Sequence, residues 1–490
     1  MTEKHSKMEK NGPEYSLTKR ISNVKYGDGG KMFGVLNVNV KDCEKRVPQS
    51  HHFILTVDRS GSMGSRERDG MTKMQHVIHT ISNMMRYFAY DLKDTEVFVS
   101  VVTFDDEVDC IIDKTRVNKQ SINKLVQTVE EVYPRNMTDI GAAIAAANKQ
   151  KTTFKDDANH THILLTDGIP TCGATEKDEL KDMLDSSYRN ILIGYGIDHN
   201  MGLMKELGNN DSGNYYFVES AENAGNVYGE ILHGVLNGAM SSTTLDTDTI
   251  EIYDWKKNKW VTSLEIGLLT YGMEKVYHIR TAPDQHDIEN VLCVTVLYTS
   301  DGIERKELVP TITKEFDTSF DITKYIYRQK TLELLFSTAN NMLVPDRLKD
   351  DITDLMNLIS GEMDTEEELK DRTCKNYFFM QNLRDDLYVA KKSLSSRYGK
   401  LYLGARMLSQ GDQRAYNVKN LDAMERAVSG LSVDWQDMDG PLPALGAIDR
   451  TCPAGNYKMS SAEASPYACT NQQFLMRQCS QDPSDTTNDN

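Results

Sequence analysis

Four short apolar runs, separated by longer amphipathic segments, constrain the fold of this chain more than any other feature. The runs are FILTV, VFVSVVTF, HILLT and ILIGYG, and all four lie between residues 53 and 196. They are nearly continuous in Val, Ile and Leu, as expected for parallel strands that helices cover on both faces. The segments between the runs have the helical spacing of apolar residues. This alternation predicts a doubly wound, Rossmann-like α/β domain over residues 48–240.

The other parts of the chain have different periodicities. Residues 245–320 alternate apolar and polar positions, which predicts a small antiparallel β-sandwich, and we expect the strand within 31–47 to pair with it. Residues 321–425 return to helical spacing and predict a helical region. Polar, turn-rich composition predicts a flexible N-terminus over 1–30 and a flexible tail over 430–490.

Composition narrows the classes of partner. A net charge of -17 over 490 residues argues against broad contact with nucleic acid or an anionic membrane, because both need Lys and Arg to neutralise phosphates. The N-terminal sequence lacks the apolar core of a signal peptide, and no stretch reaches about 18 uninterrupted apolar residues. We therefore expect a cytoplasmic protein without a membrane span. Its eight cysteines are scattered, with no CxxC pair, as expected for reduced thiols.

Polar side chains stand at the ends of the apolar runs. Asp58 ends the first run, and Ser60 and Ser62 follow it in DRSGS. Asp167 follows HILLT, and Thr138 precedes a predicted helix in PRNMTDIGAAI. Because open α/β sheets bind ligands at the carboxyl edge of their parallel strands, these loops are predicted to converge.

The converging side chains offer only oxygen donors. Two carboxylates and three hydroxyls suit a hard divalent cation, with Mg²⁺ preferred and Mn²⁺ or Ca²⁺ as alternatives, and they suit zinc or copper poorly. Mg²⁺ keeps several waters, so one position can remain open for an incoming oxygen. We expect the Asp or Glu carboxylate of a protein partner to fill that position.

The D-x-S-x-S run, the isolated Thr and the later TDG resemble, in that order, the metal-ion-dependent adhesion site of von Willebrand factor type A domains. The segments GYGIDHN at 194–200 and GNYYFVESAEN at 213–223 are similar to those of the inter-alpha-trypsin-inhibitor heavy-chain-like group. The resemblance covers about residues 30–320. It implies a non-enzymatic adhesion or scaffold module in which the ion is held by five residues, namely Asp58, Ser60, Ser62, Thr138 and Asp167.

One position departs from that resemblance. Many family members carry Gly two residues before the Thr, whereas this chain has Asn136, whose side chain is expected to narrow access to the open position.

Other polar residues near these loops have simpler explanations. Asp58, Ser60 and Ser62 could merely cap a turn, as such side chains often do. Asp139 suits the first turn of a helix, where the macrodipole favours a negative charge, better than an outer metal contact. His199, on a loop after a strand, is expected to make a structural hydrogen bond.

Two further segments allow alternative interpretations. The acidic run Asp105, Asp106, Glu107 and Asp109 is predicted to be a solvated loop, or else to favour a basic partner around the metal face. In the tail, the cluster around Phe474, Leu475 and Met476 is either disordered or a short segment that docks a further protein.

Three functions remain open. The favoured one is metal-dependent binding of a protein partner. A structural assembly component with a metal site that binds no ligand is the alternative. A magnesium-dependent phosphotransferase of the haloacid-dehalogenase type is disfavoured, because it needs a second carboxylate where this chain has Ser60.

Overall fold

The structure is a computed structural model, and it describes fourteen segments of the chain. They are 12–43, 49–67, 70–154, 157–196, 199–208, 213–218, 224–281, 292–300, 302–314, 322–340, 346–365, 375–394, 397–416 and 466–480. By their contacts, residues 47–232 and 334–490 group into one compact unit and residues 1–46 and 233–333 into another.

The strands in chain order are β1 (Tyr15–Lys25), β2 (Met32–Val40), β3 (His51–Asp58), β4 (Val97–Phe104), β5 (Val108–Arg116), β6 (Asn159–Thr166), β7 (Arg189–Tyr195), β8 (Gly213–Val218), β9 (Gly238–Asp246), β10 (Ile250–Asp254), β11 (Lys259–Val261), β12 (Ser263–Thr270), β13 (Glu274–Thr281), β14 (Cys293–Ser300), β15 (Ile303–Pro310) and β16 (Ile312–Thr313). The helices are α1 (Lys73–Tyr90), α2 (Ile122–Glu130), α3 (Ile140–Thr152), α4 (Lys177–Met183), α5 (Met201–Leu207), α6 (Ala224–Leu236), α7 (Thr323–Asn340), α8 (Asp346–Thr365), α9 (Lys375–Ser393), α10 (Arg397–Asp412) and α11 (Thr470–Ser480).

A central sheet of order β5-β4-β3-β6-β7-β8 forms the core of the first unit. All neighbours are parallel except β5, which runs antiparallel to β4. Every residue of β3 is buried, as expected for a middle strand covered on both faces. Together with the flanking helices, this sheet confirms the predicted doubly wound α/β fold class.

The edge strand β5 was not anticipated from the sequence. Its residues VDCIIDKTR are mostly polar, and only Ile112 is fully buried. Such a strand pairs on one side only, so its alternation of apolar and polar residues is weak. The sequence 105–116 therefore gave no clear strand signal.

The second unit contains two antiparallel sheets, of order β11-β10-β13-β2-β1-β16 and β12-β9-β14-β15, in which only the β1 to β16 pairing is parallel. Their shared core includes Leu36, Val38, Leu245 and Val294. The strand β2 lies between β1 and β13, so residues 32–40 pair within this unit.

The prediction of a flexible N-terminus over 1–30 is wrong for residues 15–25. They form β1, which pairs with β2 along most of its length. Leu17 and Lys19 are both buried although one is charged, which hides the strand alternation in the sequence. Residues 1–11 lie outside the described part of the chain.

Helices α7 to α10 confirm the predicted C-terminal helical region. Within it, α9 packs against both α8 and α10. A buried ion pair joins Arg406 of α10 to Asp386 of α9 at 2.9 Å.

The prediction of a flexible tail over 430–490 is wrong for α11, which packs against α1. Leu475, Met476 and Cys479 are buried at helical spacing, whereas Phe474 is 46% exposed. Most of the apolar cluster expected to dock a further protein thus packs on the chain's own domain. Residues 417–465 and 481–490 lie outside the described segments.

Candidate metal site

The first loop of the site starts at Asp58, the last residue of β3, whose side chain is fully buried. The chain then turns through a short 3-10 helix, Gly61–Gly64. The Gly61 N–H donates to the carbonyl oxygen of Asn136 at 3.1 Å. This hydrogen bond joins the loop after β3 to the loop before α3 at the carboxyl edge of the sheet.

Asp58 is held by neutral donors. Its Oδ1 accepts a hydrogen bond from the Ser60 N–H at 2.7 Å, and its Oδ2 accepts one from the Thr166 hydroxyl at 2.5 Å. Burial raises the pKa of Asp58 to about 6, the charge of Asp167 adds to the rise, and these hydrogen bonds limit it. The site therefore contains a carboxylate whose charge is poorly compensated by its hydrogen-bond partners.

Asp167 follows β6 and is also buried. Its Oδ1 accepts a hydrogen bond from the Ser62 hydroxyl at 2.6 Å, and the Ser60 and Ser62 hydroxyl oxygens are 3.1 Å apart. Its Oδ2 lies 2.7 Å from Nζ of Lys73, the first residue of α1. Ser62 thus contacts Asp167 directly and Ser60 lies beside Ser62, and a lysine that the sequence analysis did not single out also contacts Asp167.

Thr138 belongs to the loop before α3 and is 4% exposed. Its N–H donates to Thr171 Oγ1, and the Thr171 N–H donates to the Thr138 carbonyl oxygen, both at 2.9 Å. A Cβ placed on Gly168 would lie 3.3 Å from Thr138 Oγ1 and 3.9 Å from Asp58 Oδ2. Glycine at 168 therefore leaves a small space that the Thr138 hydroxyl and the Asp58 carboxylate both face.

This arrangement fits a hard divalent cation. The structure places all five predicted residues at the carboxyl edge of the sheet. Ser62 hydrogen-bonds Asp167, Ser60 lies beside Ser62, and the Thr138 hydroxyl and the Asp58 carboxylate face the space beside Gly168. All of their side-chain donors are oxygens, and the two carboxylates are buried. Two buried negative charges are costly unless a cation accompanies them.

Asn136 has a left-handed backbone, with φ of 53°. Glycine adopts this conformation without strain, and Asn is among the residues that tolerate it best. The side chain is exposed. The glycine that the resemblance implies at this position thus has a backbone explanation.

Arginines bind the acidic segment 105–109. Arg135 Nε lies 2.6 Å from Asp105 Oδ2, and Arg59 Nη2 lies 2.6 Å from Asp109 Oδ2. In addition, the Arg135 N–H donates to the Arg59 carbonyl oxygen at 2.6 Å. The network holds three loops of the carboxyl edge together.

Asp105 itself is fully buried, so the prediction of a solvated loop is wrong for this residue. Burial alone would raise the pKa of Asp105, but hydrogen bonds from the Glu107 N–H, Arg135 and Arg59 bring it below its ordinary value. Asp106 and Glu107 are exposed. A role of the segment in favouring a basic partner stays a prediction.

The simpler explanations are confirmed for Asp139 and His199. The Asp139 carboxylate accepts a hydrogen bond from the Ala142 N–H and caps α3. The ring of His199 hydrogen-bonds the Gly196 carbonyl oxygen and the Tyr215 hydroxyl, each at 2.6 Å. Each side chain thus has a structural partner on an adjoining element.

The sequence analysis missed Lys73, Arg59 and Arg135. No sequence pattern indicates the two arginines, because their partners come from other loops. The position of Lys73 does indicate a charged partner, since a positive charge in the first turn of a helix opposes the macrodipole. Its position therefore needs a nearby negative charge, and Asp167 supplies it.

Comparison with known proteins agrees with the fold. Residues 53–230 match the family model described as the von Willebrand factor type A domain. No curated protein matches the chain significantly. Because the match covers one domain, the likeness to the inter-alpha-trypsin-inhibitor heavy-chain-like group stays a prediction for the chain as a whole.

The chain is also similar to two solved structures, each with a TM-score below 0.5. A von Willebrand factor type A protein from Catenulispora acidiphila has 14% identity and a TM-score of 0.48, and the match covers 74% of this chain and 90% of that one. The ArnB paralog VWA2 from Sulfolobus acidocaldarius has 16% identity and a TM-score of 0.41, over 80% of this chain and 99% of that one. Neither likeness bears on function.

Residues 53–230 therefore form a von Willebrand factor type A domain, a kind of domain that generally serves in protein interaction and is generally not enzymatic. Among the described residues, no helix is both long and apolar enough to span a membrane.

Proposed function

We propose that the type A domain binds a protein partner through a divalent cation, Mg²⁺ in preference to Mn²⁺ or Ca²⁺. In this proposal the cation is held by Asp58, Ser60, Ser62, Thr138 and Asp167. When bound, it supplies a positive charge with a coordination position for a carboxylate oxygen of the partner. The observation that carries the proposal is that two buried carboxylates and three hydroxyls lie on neighbouring loops at the carboxyl edge of the sheet, where the Asp58 carboxylate and the Thr138 hydroxyl face the space beside Gly168.

The rim of the site supports a protein as the partner. Met137 and Ile169, which directly follow Asn136 and Gly168, are 50% and 54% exposed. Large apolar side chains on both sides of a cation suit a folded or peptide surface that presents an acidic residue among apolar ones. They give a small hydrophilic substrate little to contact.

A binding role is preferred over catalysis. Ser60 hydrogen-bonds within the site but has no acid/base capacity near neutral pH, and Asp139 caps α3. The proposed set thus lacks the carboxylate two residues after Asp58 that a phosphotransferase of the haloacid-dehalogenase type needs for proton transfer. We propose accordingly that the protein is not an enzyme.

We also propose that the protein works in the cytoplasm. Cys110, Cys172, Cys293 and Cys479 are free thiols, and Cys479, a residue of α11, is buried. Free thiols persist in a reducing compartment. An exposed sequon asparagine, Asn136, stands beside the proposed metal site, where a glycan would obstruct a partner.

Selection from a random peptide library tests the proposal without a known partner. The full chain is immobilised in millimolar magnesium chloride. Peptides that stay bound after a chelator is added, or that also bind the D58A variant, are discarded. The proposal predicts enriched peptides that contain Asp or Glu and lose binding when that residue becomes Asn or Gln. The matched control is D106A, which removes an exposed carboxylate from the same sheet edge and should retain binding.

The outcomes separate the alternatives. A selection in which every bound peptide is discarded at these steps, because it binds equally to D58A or in chelator, would contradict binding through the cation. A chain that binds Mg²⁺ but selects no acidic peptide would favour the structural assembly component, whose metal site only stabilises loops.

A further inference from the structure

We infer that Lys73 is a built-in counter-cation of the metal site, which holds Asp167 when no metal is bound and competes with the metal for that carboxylate. The inference rests on the proposed function, because it gives Lys73 a role at the proposed ion site. It adds that the chain tunes how tightly the ion binds and how strongly the bound ion attracts a partner carboxylate.

The contact is close and buried. Lys73 Nζ lies 2.7 Å from Asp167 Oδ2, and the two side chains are 10% and 0% exposed. Other carboxylates of the domain pair with lysines nearer to solvent, as Asp185 does with Lys151, where the side chains are 30% and 26% exposed. A buried charge pair depends more on its geometry, because little water screens it.

The structure around Lys73 fixes its side chain toward Asp167. Its N–H donates to the Ser65 carbonyl oxygen at 3.1 Å, and Thr72 before it forms a capping box with Gln75. Gly196, with φ of 69°, lies against the far end of the side chain, since a Cβ there would be 3.4 Å from Lys73 Nζ. The ammonium is thus positioned by a helix start and by the loop after β7.

The contact with Lys73 changes the net charge of the metal site. Asp58 and Asp167 contribute two negative charges, and Lys73 contributes one positive charge beside them. A divalent cation would then leave the site with one net positive charge, which a partner carboxylate neutralises. Without Lys73, the loaded site would already be neutral, and a partner carboxylate would make it negative.

Lys73 is therefore expected to act in opposite directions on two affinities. It weakens the binding of the ion, because it repels a second cation and occupies Asp167 Oδ2. It strengthens the attraction of the loaded site for a carboxylate. It also stabilises the metal-free domain, in which Asp58 and Asp167 would otherwise share one buried region without a cation.

The test compares K73Q with the wild type and with K73R, which keeps the charge. Unfolding temperature is measured in chelator and in saturating Mg²⁺, and the affinity for Mg²⁺ alone is measured by titration calorimetry. K73Q should unfold at a lower temperature in chelator and recover most of that loss in Mg²⁺. Its affinity for Mg²⁺ should rise about tenfold or more, as expected when a like charge is removed from a poorly screened site. K73R should stay within a few fold of the wild type.

The matched control is K151Q, which removes the lysine of the Lys151–Asp185 pair and should leave both Mg²⁺ readouts unchanged. A purely structural lysine would lower the unfolding temperature of K73Q equally with and without Mg²⁺, and that result would overturn the inference. So would an unchanged or weaker Mg²⁺ affinity in K73Q.

The proposed function can fail separately. If the wild type binds Mg²⁺ and K73Q binds it with the same affinity, the inference fails and the metal site stands. If neither protein binds Mg²⁺ or Mn²⁺, both fail. If only K73Q binds the ion, the ammonium of Lys73 takes the place of the metal in the wild type. The proposed function then fails, whereas the competition between Lys73 and the metal stands.

Discussion

At the residue scale, the site combines side chains whose place in it the sequence predicts with others whose place it does not. Asp58 and Asp167 could be predicted because each directly follows an apolar run, and parallel strands end at one edge. The pairing of Lys73 with Asp167 could not, because the two residues are far apart in the chain and meet only through the packing of α1. The sequence therefore indicated the donor set but not its charge balance.

Ser62 provides a test of one predicted ligand. Its hydroxyl donates to Asp167 Oδ1, yet the residue is exposed, so S62A should leave the fold intact. We expect the variant to lose about tenfold or more in affinity for Mn²⁺, since one oxygen donor is replaced by a methyl group. Titration calorimetry measures the loss.

The matched control for S62A is S65A, which changes another exposed serine of the same loop. S65A should bind Mn²⁺ as the wild type does. Equal Mn²⁺ affinity in S62A and S65A would exclude Ser62 from the ligand set.

At the element scale, regular periodicity decided what could be predicted. The strands β3, β4, β6 and β7 and the helices α1 to α6 follow from continuous apolar runs and helical spacing, whereas β1 and β5 alternate too weakly to be recognised. The helix α11 was missed because it lies in a polar tail and depends on a partner surface. That surface includes Gly225 and Gly229 of α6.

The packing of α11 on α6 depends on the absence of a side chain at Gly229. A Cβ there would lie 2.3 Å from Met476 Cα, so the G229A variant cannot keep the helices at this distance. We expect α11 to separate from the domain, with faster hydrogen exchange of amides across 470–480. Hydrogen exchange with mass spectrometry measures it.

The control for G229A is G361A in α8, where a Cβ would meet nothing within 4 Å. G361A should leave exchange in α11 unchanged and raise stability by up to about 1 kcal/mol, because Ala favours a helix more than Gly does. Unchanged protection of 470–480 in G229A would mean that α11 does not depend on this contact.

At the scale of the whole molecule, the acidic chain contains histidines buried in the sheet of its α/β domain. His162 is fully buried between Thr56, at 2.8 Å, and Asn190, at 3.0 Å. Burial lowers the pKa of His162 to about 4 and that of His52 to about 3. The folded domain therefore keeps these rings neutral under conditions in which an unfolded chain would protonate them.

This shift predicts acid sensitivity with a definite sign. A histidine whose folded pKa lies below its unfolded value of about 6.5 contributes full stability above that value, and the contribution is lost as the pH falls toward 4. Between about pH 6.5 and pH 4, we expect the free energy of unfolding of H162Q to fall less than that of the wild type. The two losses should differ by up to roughly 3 kcal/mol. Urea unfolding at both ends of this range measures it.

The comparison for H162Q is Q127A, which changes an exposed residue of α2 that does not titrate. Q127A should keep the pH dependence of the wild type. If H162Q also keeps that pH dependence, His162 is not the source of the acid sensitivity.

Titration of the purified chain with Mg²⁺ shows directly whether the proposed residues hold a divalent cation. We expect one binding site in the wild type, the same site in D106A, and loss of binding in D58A and in the near-isosteric D58N, with circular dichroism spectra unchanged in all four proteins. Mg²⁺ binding that survives in D58A and D58N, or a wild type that binds neither Mg²⁺ nor Mn²⁺, would contradict the proposal.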